Sequence, residues 1–249
     1  MPAASDALHC HLADAFPTTM QAVRLNPPGG LDALSLDHIA TPQAGPGEVL
    51  VRVHAAAITR DELTWSTDRL PIIPSFEVSG VVAALGTDVT SIRAGEAVFA
   101  LTPFDRQGVA AEFAAIPAAM LAPKPAGLTD VAAAATPMPA LTAWQALFDH
   151  GALRAGQRVL ITGAAGGVGH VGVQLARWRG AHVIAIAPAA RHDLVRQLGA
   201  NEVTDRQTAL TSGGIDPVDL IFDTTGGELL AASPRLLASG GRTVTVVES

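Results

Sequence analysis

The chain has 249 residues, a formal net charge of −7 and a single cysteine, Cys10. One cysteine forms no disulfide within the chain and no multi-cysteine zinc site, which excludes a disulfide-built secreted fold and a cysteine-based zinc module. Hydrophobic residues make up 49% and charged residues 16% of the chain, which excludes disorder as its main state. The negative charge argues against nucleic acid or an anionic membrane as the main partner.

The first half of the chain predicts short strands and turns. We interpret residues 1–19 as a flexible tail and residues 20–25, which alternate between apolar and polar side chains, as the first strand. Several short strands separated by turns are typical of a small β-barrel. The other strands predicted in this half are 48–54, 78–85 and 97–101.

An apolar, charge-free stretch covers residues 131–148. Pro137 and Pro139 interrupt it and alanine dominates it, so we predict buried core and no membrane span. Residues 1–19 lack the basic and apolar regions of a signal peptide, and we therefore expect a cytoplasmic protein. The usage of arginine, alanine and glycine is typical of a GC-rich bacterial genome.

From about residue 128 the pattern changes to alternating helices and strands. Thr129 and Asp130 predict the cap of a helix that starts at Val131, and a second helix is predicted over 140–150. The alternation predicts an α/β fold, a doubly wound parallel sheet with helices on both faces. The predicted strands are 157–162, 181–187, 201–204, 218–223 and 242–247, and the later helices are 167–179, 191–198 and 228–237.

A glycine-rich turn follows the first of these strands and opens a helix. Glycines allow backbone N–H groups to approach a pyrophosphate closely, and a helix N-terminus favours negative charge. A glycine motif alone is weak evidence, but its place between a strand and a helix favours dinucleotide binding over an ordinary turn. The predicted phosphate-binding residues are Gly163, Ala164, Ala165, Gly166, Gly167 and Val168.

The next strand indicates which dinucleotide binds. An NAD site has an acidic residue about 20 residues beyond the glycines, where it holds the ribose hydroxyls. Here the strand ends near Ala187 without an acid, and Arg191 follows. An arginine pairs with a 2′-phosphate, so we predict NADP(H), although Arg191 at the start of a helix is also compatible with simple solvation.

Seven short motifs follow one another along the chain, at residues 20–24, 47–53, 77–82, 141–144, 164–169, 223–227 and 240–242. In this order they resemble the medium-chain dehydrogenase/reductase superfamily, in its zinc-independent quinone-oxidoreductase branch. The resemblance covers roughly residues 20–249 and implies a GroES-like catalytic domain over 20–140 and a Rossmann domain over 141–249, with the active site between them.

The resemblance also bears on zinc. Zinc-dependent relatives carry a cysteine ligand where Thr59 stands, and a histidine ligand where Phe76 stands. A hydroxyl and a phenyl ring do not hold a catalytic zinc ion, so no metal site is expected. The resemblance therefore implies hydride transfer from NADPH to a quinone or an activated alkene such as an enone.

The family positions imply roles for further residues. Thr59 and Asp61 are the candidate catalytic groups near the nicotinamide or the substrate. Glu62 is more readily interpreted as a structural partner of Arg60 or as a helix cap. The other positions implied at the cofactor are Thr142, Thr224, Thr225, Val246 and Val247.

Two functions are compatible with the sequence. One is an NADPH-dependent quinone or enone reductase; the other is a catalytically weak NADP(H)-binding protein that acts as a redox sensor or interaction module. Family members usually continue past the strand at 242–247, so we expect this strand to form a sheet edge. The expectation is a homo-oligomer, such as a dimer, or poor solubility.

Overall fold

A computed structural model describes residues 16–59, 62–64, 69–211 and 214–247. The chain divides into two compact units between Pro137 and Met138. The strands are β1 (Thr19–Leu25), β2 (Leu34–Ala40), β3 (Glu48–Ala57), β4 (Glu77–Leu85), β5 (Ala97–Leu101), β6 (Phe113–Pro117), β7 (Ala122–Pro123), β8 (Arg158–Ile161), β9 (His182–Ile186), β10 (Glu202–Thr204), β11 (Val218–Asp223) and β12 (Leu237–Thr245). The α-helices are α1 (Asp130–Ala134), α2 (Pro137–Trp144), α3 (Gly169–Trp178), α4 (His192–Gln197), α5 (Arg206–Leu210) and α6 (Gly227–Leu236).

The first unit is built on antiparallel strands. Its larger sheet has the order β6-β3-β4-β5-β7, and β1 pairs with β2 in a second sheet. Single bridges join Ala22 to Ala111 and Leu25 to Ile72. Valines at alternate positions of β3 and β4, such as Val49, Val51, Val78 and Val82, point to one buried core.

The helix α1 completes the first unit. Thr129 caps it by accepting a hydrogen bond from the Ala132 N–H at 3.2 Å, as its position before the helix predicts. The Asp130 carboxylate accepts a hydrogen bond from the Ser79 hydroxyl at 2.8 Å and lies 3.3 Å from both the Lys124 amine and His54 Nδ1. One carboxylate thus ties the helix to β3, β4 and the segment after β7.

The second unit is a parallel sheet covered on both faces. Its strand order is β10-β9-β8-β11-β12, and every pairing is parallel. In β8, Val159 and Ile161 pack with α2 and α3, whereas Leu160 packs with α5 and α6 on the opposite face. This alternation confirms the predicted doubly wound α/β fold, and the order reverses between β8 and β11.

The predicted helix 140–150 is wrong in its form. An α-helix covers Pro137–Trp144, and a π-helical turn covers Gln145–His150. The Gly151 N–H bonds to the carbonyl five residues earlier, on Ala146, at 2.9 Å. Packing of the buried Leu147 and Leu153 in the core accompanies this wider turn.

The prediction that residues 131–148 are buried core is also only half right. Its buried members are Ala133, Ala134, Pro137, Ala143, Ala146 and Leu147. Its large exposed side chains are those of Val131, Leu141 and Trp144. Because the two helices cover sheets with one face each, their other faces remain in contact with solvent.

Other differences concern the ends and the short elements. The strand β12 begins at Leu237 and ends at Thr245, so Val246 and Val247 follow it. In place of the predicted helix 191–198, a 3₁₀ turn at Ala189–Arg191 is followed by α4. Packed contacts start at Phe16, whose ring meets that of Phe113 at 5.8 Å, before the predicted end of the tail. No helix in the described ranges has both the length and the apolar character needed to span a bilayer.

Candidate functional site

The glycine-rich turn lies at the point where the strand order of the parallel sheet reverses. It follows β8, and the Thr224–Thr225 turn follows the neighbouring strand β11. In open α/β sheets, ligands bind at the carboxyl ends of the strands beside such a reversal. The structure therefore brings Gly163, Thr224 and Thr225 together at the position where a nucleotide site is expected.

Two glycines of the turn, Gly163 and Gly169, are required by the fold itself. Gly163 has a φ of 59°, and a Cβ atom there would lie 2.4 Å from Thr224 Oγ1. A Cβ on Gly169 would lie 2.2 Å from the Gly163 oxygen, and one on Gly166 would lie 3.1 Å from the same oxygen. Substitution at Gly163 or Gly169 would therefore displace the backbone of the turn.

Gly167 is different, because the fold gives no reason for a glycine there. A Cβ at this position would meet no atom within 4 Å, and its φ is not in the left-handed region. Within the described part of the chain, the N–H groups of Gly167 and Val168 donate no backbone hydrogen bond, and α3 has no side-chain cap. Open space over free amides at the start of a ten-residue helix fits a pyrophosphate.

A buried polar network fixes the two turns to each other. The Thr162 hydroxyl donates to Asp223 Oδ1 at 2.6 Å and accepts from the Thr224 N–H at 2.9 Å. The Thr224 hydroxyl in turn donates to the Thr162 carbonyl at 2.8 Å, and the Thr225 hydroxyl donates to Thr162 Oγ1 at 3.1 Å. The predicted residues Thr224 and Thr225 are thus held by two residues that the sequence reading did not assign to the site.

Asp223 is the centre of this network. Its carboxylate is fully buried and also accepts from the Gly226 N–H at 3.0 Å and the Thr245 hydroxyl at 3.0 Å. Burial alone would raise the pKa of Asp223, but the hydrogen bonds from Thr162, Thr245, Gly226 and Thr225 outweigh it and hold that pKa below its ordinary value. The group is therefore an anionic acceptor that orders the ends of β8, β11 and β12.

The predicted residues Ala187 and Arg191 follow the neighbouring strand β9. The Ala164 N–H donates to the carbonyl of Ile186 at 3.0 Å, which joins the glycine turn to the end of this strand. Arg191 is exposed in a 3₁₀ turn, and within the described residues its guanidinium takes part in no ion pair or side-chain hydrogen bond. The end of β9 therefore presents a positive group and no carboxylate.

Val246 and Val247 lie beside the second turn. The Val246 N–H donates to the Asp223 carbonyl at 3.1 Å, and the Val247 N–H donates to the Thr245 hydroxyl at 3.2 Å. A Cβ added to Gly226 would lie 3.2 Å from a methyl group of Val247. Both valines thus lie at the same edge of the sheet as the glycine turn.

The remaining predicted residues are placed separately. Thr142 is half-buried on α2, which precedes β8 in the chain. Thr59 belongs to the first unit, where its N–H donates to Glu62 Oε2 at 3.2 Å. Asp61 and Arg60 lie outside the described residues.

Glu62 joins two backbone segments of the first unit. Its carboxylate is buried and accepts hydrogen bonds from the N–H groups of Thr59 and Ser75. Burial raises the pKa of Glu62, although these two hydrogen bonds lower it in part. Ser75, with a φ of 71°, is thereby held in a left-handed conformation that a side chain disfavours.

The position that carries a histidine ligand in zinc-dependent relatives holds a buried phenyl ring here. Phe76 is 5% exposed and packs edge-on against the ring of Phe104, with centroids 5.0 Å apart. Over the described residues, no three His, Cys, Asp or Glu side chains cluster in a way that could hold a metal ion.

The sequence-based prediction did not include Thr162 and Thr245, which belong to the polar network of the site. Each is a hydroxyl residue at or just after the carboxyl end of a parallel strand, and each donates to Asp223. A polar residue at such a strand end is a detectable signal, because side chains there face the crevice of an open α/β sheet. The partner of each is not readable from the sequence, since it lies on another strand.

The chain combines an antiparallel unit with a parallel sheet that has a glycine turn at the point where its strand order reverses. This combination defines a two-domain class of nicotinamide-dependent dehydrogenases and reductases. Two family models match the chain: an alcohol dehydrogenase GroES-like domain at residues 45–126 and a zinc-binding dehydrogenase domain at residues 167–247. A probable zinc-binding oxidoreductase of Arthroderma benhamiae is 32% identical over 94% of this chain and 76% of that protein. The chain belongs to the medium-chain dehydrogenase/reductase superfamily.

Two further comparisons show where the similarity extends. The human mitochondrial NAD(P)H oxidoreductase RTN4IP1 is 35% identical over 81% of this chain, and the chain spans 58% of the length of that relative. The solved structure of the quinone oxidoreductase from Coxiella burnetii superposes with a TM-score of 0.83 at 29% identity, covering 91% of this chain and 75% of the other. The superfamily and fold expected from the motifs are therefore confirmed.

Proposed function

We propose that this protein is a zinc-independent, NADP(H)-dependent oxidoreductase that reduces a quinone or an activated alkene such as an enone. The observation that carries the proposal is the open, amide-lined space at Gly167 and Val168 beside the reversal of the sheet. The similarity to proteins named NAD(P)H oxidoreductase and quinone oxidoreductase supports the same reaction class.

The residues of the glycine turn would hold the pyrophosphate of the cofactor. The N–H groups of Gly167 and Val168 donate to it, while Gly163, Ala164, Ala165 and Gly166 fix the shape of the turn. When bound, a reduced nicotinamide supplies a hydride. The protein's part is to bind and orient, and we assign Thr142, Thr224, Thr225, Val246 and Val247 to the edges of the cofactor site.

NADP(H) is favoured over NAD(H) by the charge at the end of β9. A carboxylate there would bind the ribose hydroxyls of NAD and repel a 2′-phosphate, but Ala187 is apolar. The exposed Arg191 has no carboxylate partner among the described residues, so its guanidinium is available to pair with a phosphate.

In the first unit we propose Thr59 and Asp61 as the polar groups near the substrate. Glu62 holds the backbone of Thr59 through the hydrogen bond to its N–H. A threonine at this position, together with Phe76 in place of a histidine, gives the chain no ligands for a catalytic zinc ion at these two positions. Elemental analysis of purified protein is expected to show far less than one zinc ion per chain.

The test pairs a binding measurement with an activity assay. Purified protein is titrated with NADPH and with NADH by calorimetry, alongside Arg191→Ala and the matched control Arg196→Ala. Since Arg196 already pairs with Asp193 at 3.1 Å, only Arg191→Ala is expected to weaken NADPH binding, by about tenfold, and neither variant to change NADH binding. Unchanged NADPH binding in Arg191→Ala would remove this residue from the site.

NADPH oxidation is then followed with a panel of quinones and enones. Turnover of any quinone or enone supports the proposed reductase activity. Tight NADPH binding without turnover on any member would instead support the nucleotide-binding sensor or interaction module.

We also propose a homodimer. The strand β12 lies at the edge of the parallel sheet among the described residues and carries a β-branched run from Thr243 to Thr245. Such an edge is free to pair with another chain. Light scattering at micromolar concentration is expected to give twice the chain mass, and a stable monomer would contradict the proposal.

We also propose that the protein is bacterial and that it lies in the cytoplasm. This proposal rests on the amino-acid composition, which is rich in arginine, alanine and glycine and has a single cysteine. The names of two relatives place those proteins in mitochondria, so location is tested by fractionating the source cells and blotting for this chain.

A further inference from the structure

The second unit contains a cleft that the nucleotide site does not use. Its volume is about 320 Å³, at the lower end of the range for small-molecule pockets. It lies between the end of α2 with the π-helical turn, the segment before β8, and the end of α3. Its lining residues are Trp144, Phe148, Ala152, Leu153, Arg154, Trp178 and Arg179.

The cleft is at the opposite end of the sheet from the glycine turn. Residues 152–154 precede β8, whereas Gly163 follows it, and Trp178 and Arg179 lie just before β9. Because β8 and β9 are parallel, their amino ends face one way and the glycine turn faces the other. A molecule in the cleft would therefore leave the glycine turn free.

Three aromatic rings form one wall of the cleft. Trp144 packs against Phe148 at a centroid distance of 4.8 Å, and Trp178 lies 6.1 Å from Trp144 and 6.3 Å from Phe148. Trp178 is nevertheless 67% exposed and Trp144 43% exposed. In a chain that is only 4% aromatic, this cluster offers ring faces to a planar ligand.

Two arginines border the rings. The Arg179 Nε donates to the Leu153 carbonyl at 3.4 Å, and the Arg154 side chain is exposed. In the portion of the chain that the structure describes, neither guanidinium forms an ion pair with a carboxylate. Two uncompensated guanidinium groups in a chain of net charge −7 select for an anion, which arginine binds through a pair of parallel hydrogen bonds.

The backbone around the cleft is unusual in two independent ways. The π-helical turn at Gln145–His150 places Phe148 in the wall, and such turns occur frequently at functional sites. Ala152, in the lining, has a φ of 50°, a left-handed conformation that is strained for a residue with a side chain. Strained backbone is concentrated at ligand sites more often than on ordinary surface.

We propose that this cleft binds a small planar aromatic carboxylate. The aromatic ring would stack on Trp144 and Trp178, and the carboxylate would pair with Arg154 and Arg179. The proposal is independent of the proposed reductase activity, because it uses none of the residues assigned to the cofactor or substrate.

The test uses 2-naphthoate as the probe and the full chain as the protein. Calorimetry is expected to show one probe per chain, with binding unchanged when NADPH is present at saturation. Arg154→Gln and Arg179→Gln should each weaken binding about tenfold, as should replacement of the probe by neutral 2-naphthamide. Arg177→Gln is the matched control, since Arg177 is exposed on the same helix but does not line the cleft.

A second measurement separates binding from misfolding. In ¹⁵N spectra, the indole N–H signals assigned by Trp144→Phe and Trp178→Phe should shift on addition of 2-naphthoate. No binding at about 1 mM probe, equal binding of the amide, or an equal loss in Arg177→Gln would overturn the proposal. A change of oligomeric state in Trp178→Ala with unchanged probe binding would also overturn it, because the cleft would then be a contact between copies of the chain.

Discussion

Replacing Asp223 by asparagine is expected to destabilise the second unit strongly. The carboxylate accepts the Thr162 hydroxyl at 2.6 Å on one oxygen, and the Thr245 hydroxyl and the Gly226 N–H, both at 3.0 Å, on the other. An asparagine in the same position keeps one acceptor oxygen and turns an N–H₂ group toward donors. If the oxygen stays at the Oδ1 position, the Thr245 hydroxyl loses its acceptor, the Gly226 N–H keeps only its 3.2 Å bond to Oδ1, and the remaining bonds lose their charge.

The magnitude follows from these contacts. A hydrogen bond to a charged group contributes about 1.5–3 kcal/mol, and a buried donor left without a partner costs about 1–3 kcal/mol. We therefore expect Asp223→Asn to lower the free energy of unfolding of the second unit by about 2–4 kcal/mol. Asp216→Asn, an exposed substitution just before the same strand, is the control and is expected to change it by less than about 0.5 kcal/mol.

The assay is denaturant unfolding followed by tryptophan fluorescence in a Trp65→Phe background, so that the signal comes from Trp144 and Trp178 in this unit. Because the folded pKa of Asp223 is depressed below 3.8, its contribution is present above that pH and is lost only as pH falls through the folded pKa. The difference between wild type and Asp223→Asn should thus be constant from about pH 5 to about pH 8. A difference below about 0.5 kcal/mol, or one that changes across this range, would refute the assignment of a buried anionic acceptor.

Three further substitutions test other contacts. Gly163→Ala introduces a Cβ at 2.4 Å from Thr224 Oγ1 in a left-handed backbone. Thermal unfolding should therefore show that the free energy of unfolding falls by at least about 2 kcal/mol. An unchanged melting temperature would contradict the close packing. Glu62→Ala removes the acceptor for two backbone N–H groups and should cost about 2–4 kcal/mol by denaturant unfolding. The control Glu96→Ala, whose half-buried carboxylate approaches only Arg93 at 4.0 Å among the described residues, should change the stability little. Asp130→Asn should lower the free energy of unfolding by roughly 1 kcal/mol above pH 3.8, because the Ser79 hydroxyl and Lys124 depress the pKa of Asp130. This difference between the variant and wild type should fade at lower pH. A difference that grows as the pH falls would contradict a depressed pKa.

The strands that the sequence predicts well are those with a continuous apolar run bounded by turn residues. Strands β5 and β11 match their predicted ends because Ala97–Leu101 and Val218–Asp223 are such runs. Strand β2 has no such run: it carries Asp37 and His38, and none of its side chains is fully buried, so its sequence resembles a loop. The short helix α5 was missed although Asp205 caps it, because five residues give no periodic signal.

The candidate site was only partly predictable for a different reason. The glycine turn is a local signal, since the strand, the glycines and the helix are adjacent in the sequence. The network around Asp223 joins Thr162 and Thr245 across separations of 61 and 22 residues, and it depends on the register of three parallel strands. The π-helical turn likewise depends on how Leu147 packs in the core, which no local pattern specifies.

The most direct test of the central claim uses a pair of glycines for which the fold leaves open space. A Cβ added to Gly167 or to Gly127 would have no atom within 4 Å, and neither glycine has a left-handed φ, so alanine at either should leave the melting temperature unchanged. NADPH titration is expected to show binding weakened at least about tenfold in Gly167→Ala and unaltered in Gly127→Ala, because only Gly167 would face the pyrophosphate. Equal NADPH affinity in the two variants and wild type would contradict a nucleotide site at this turn.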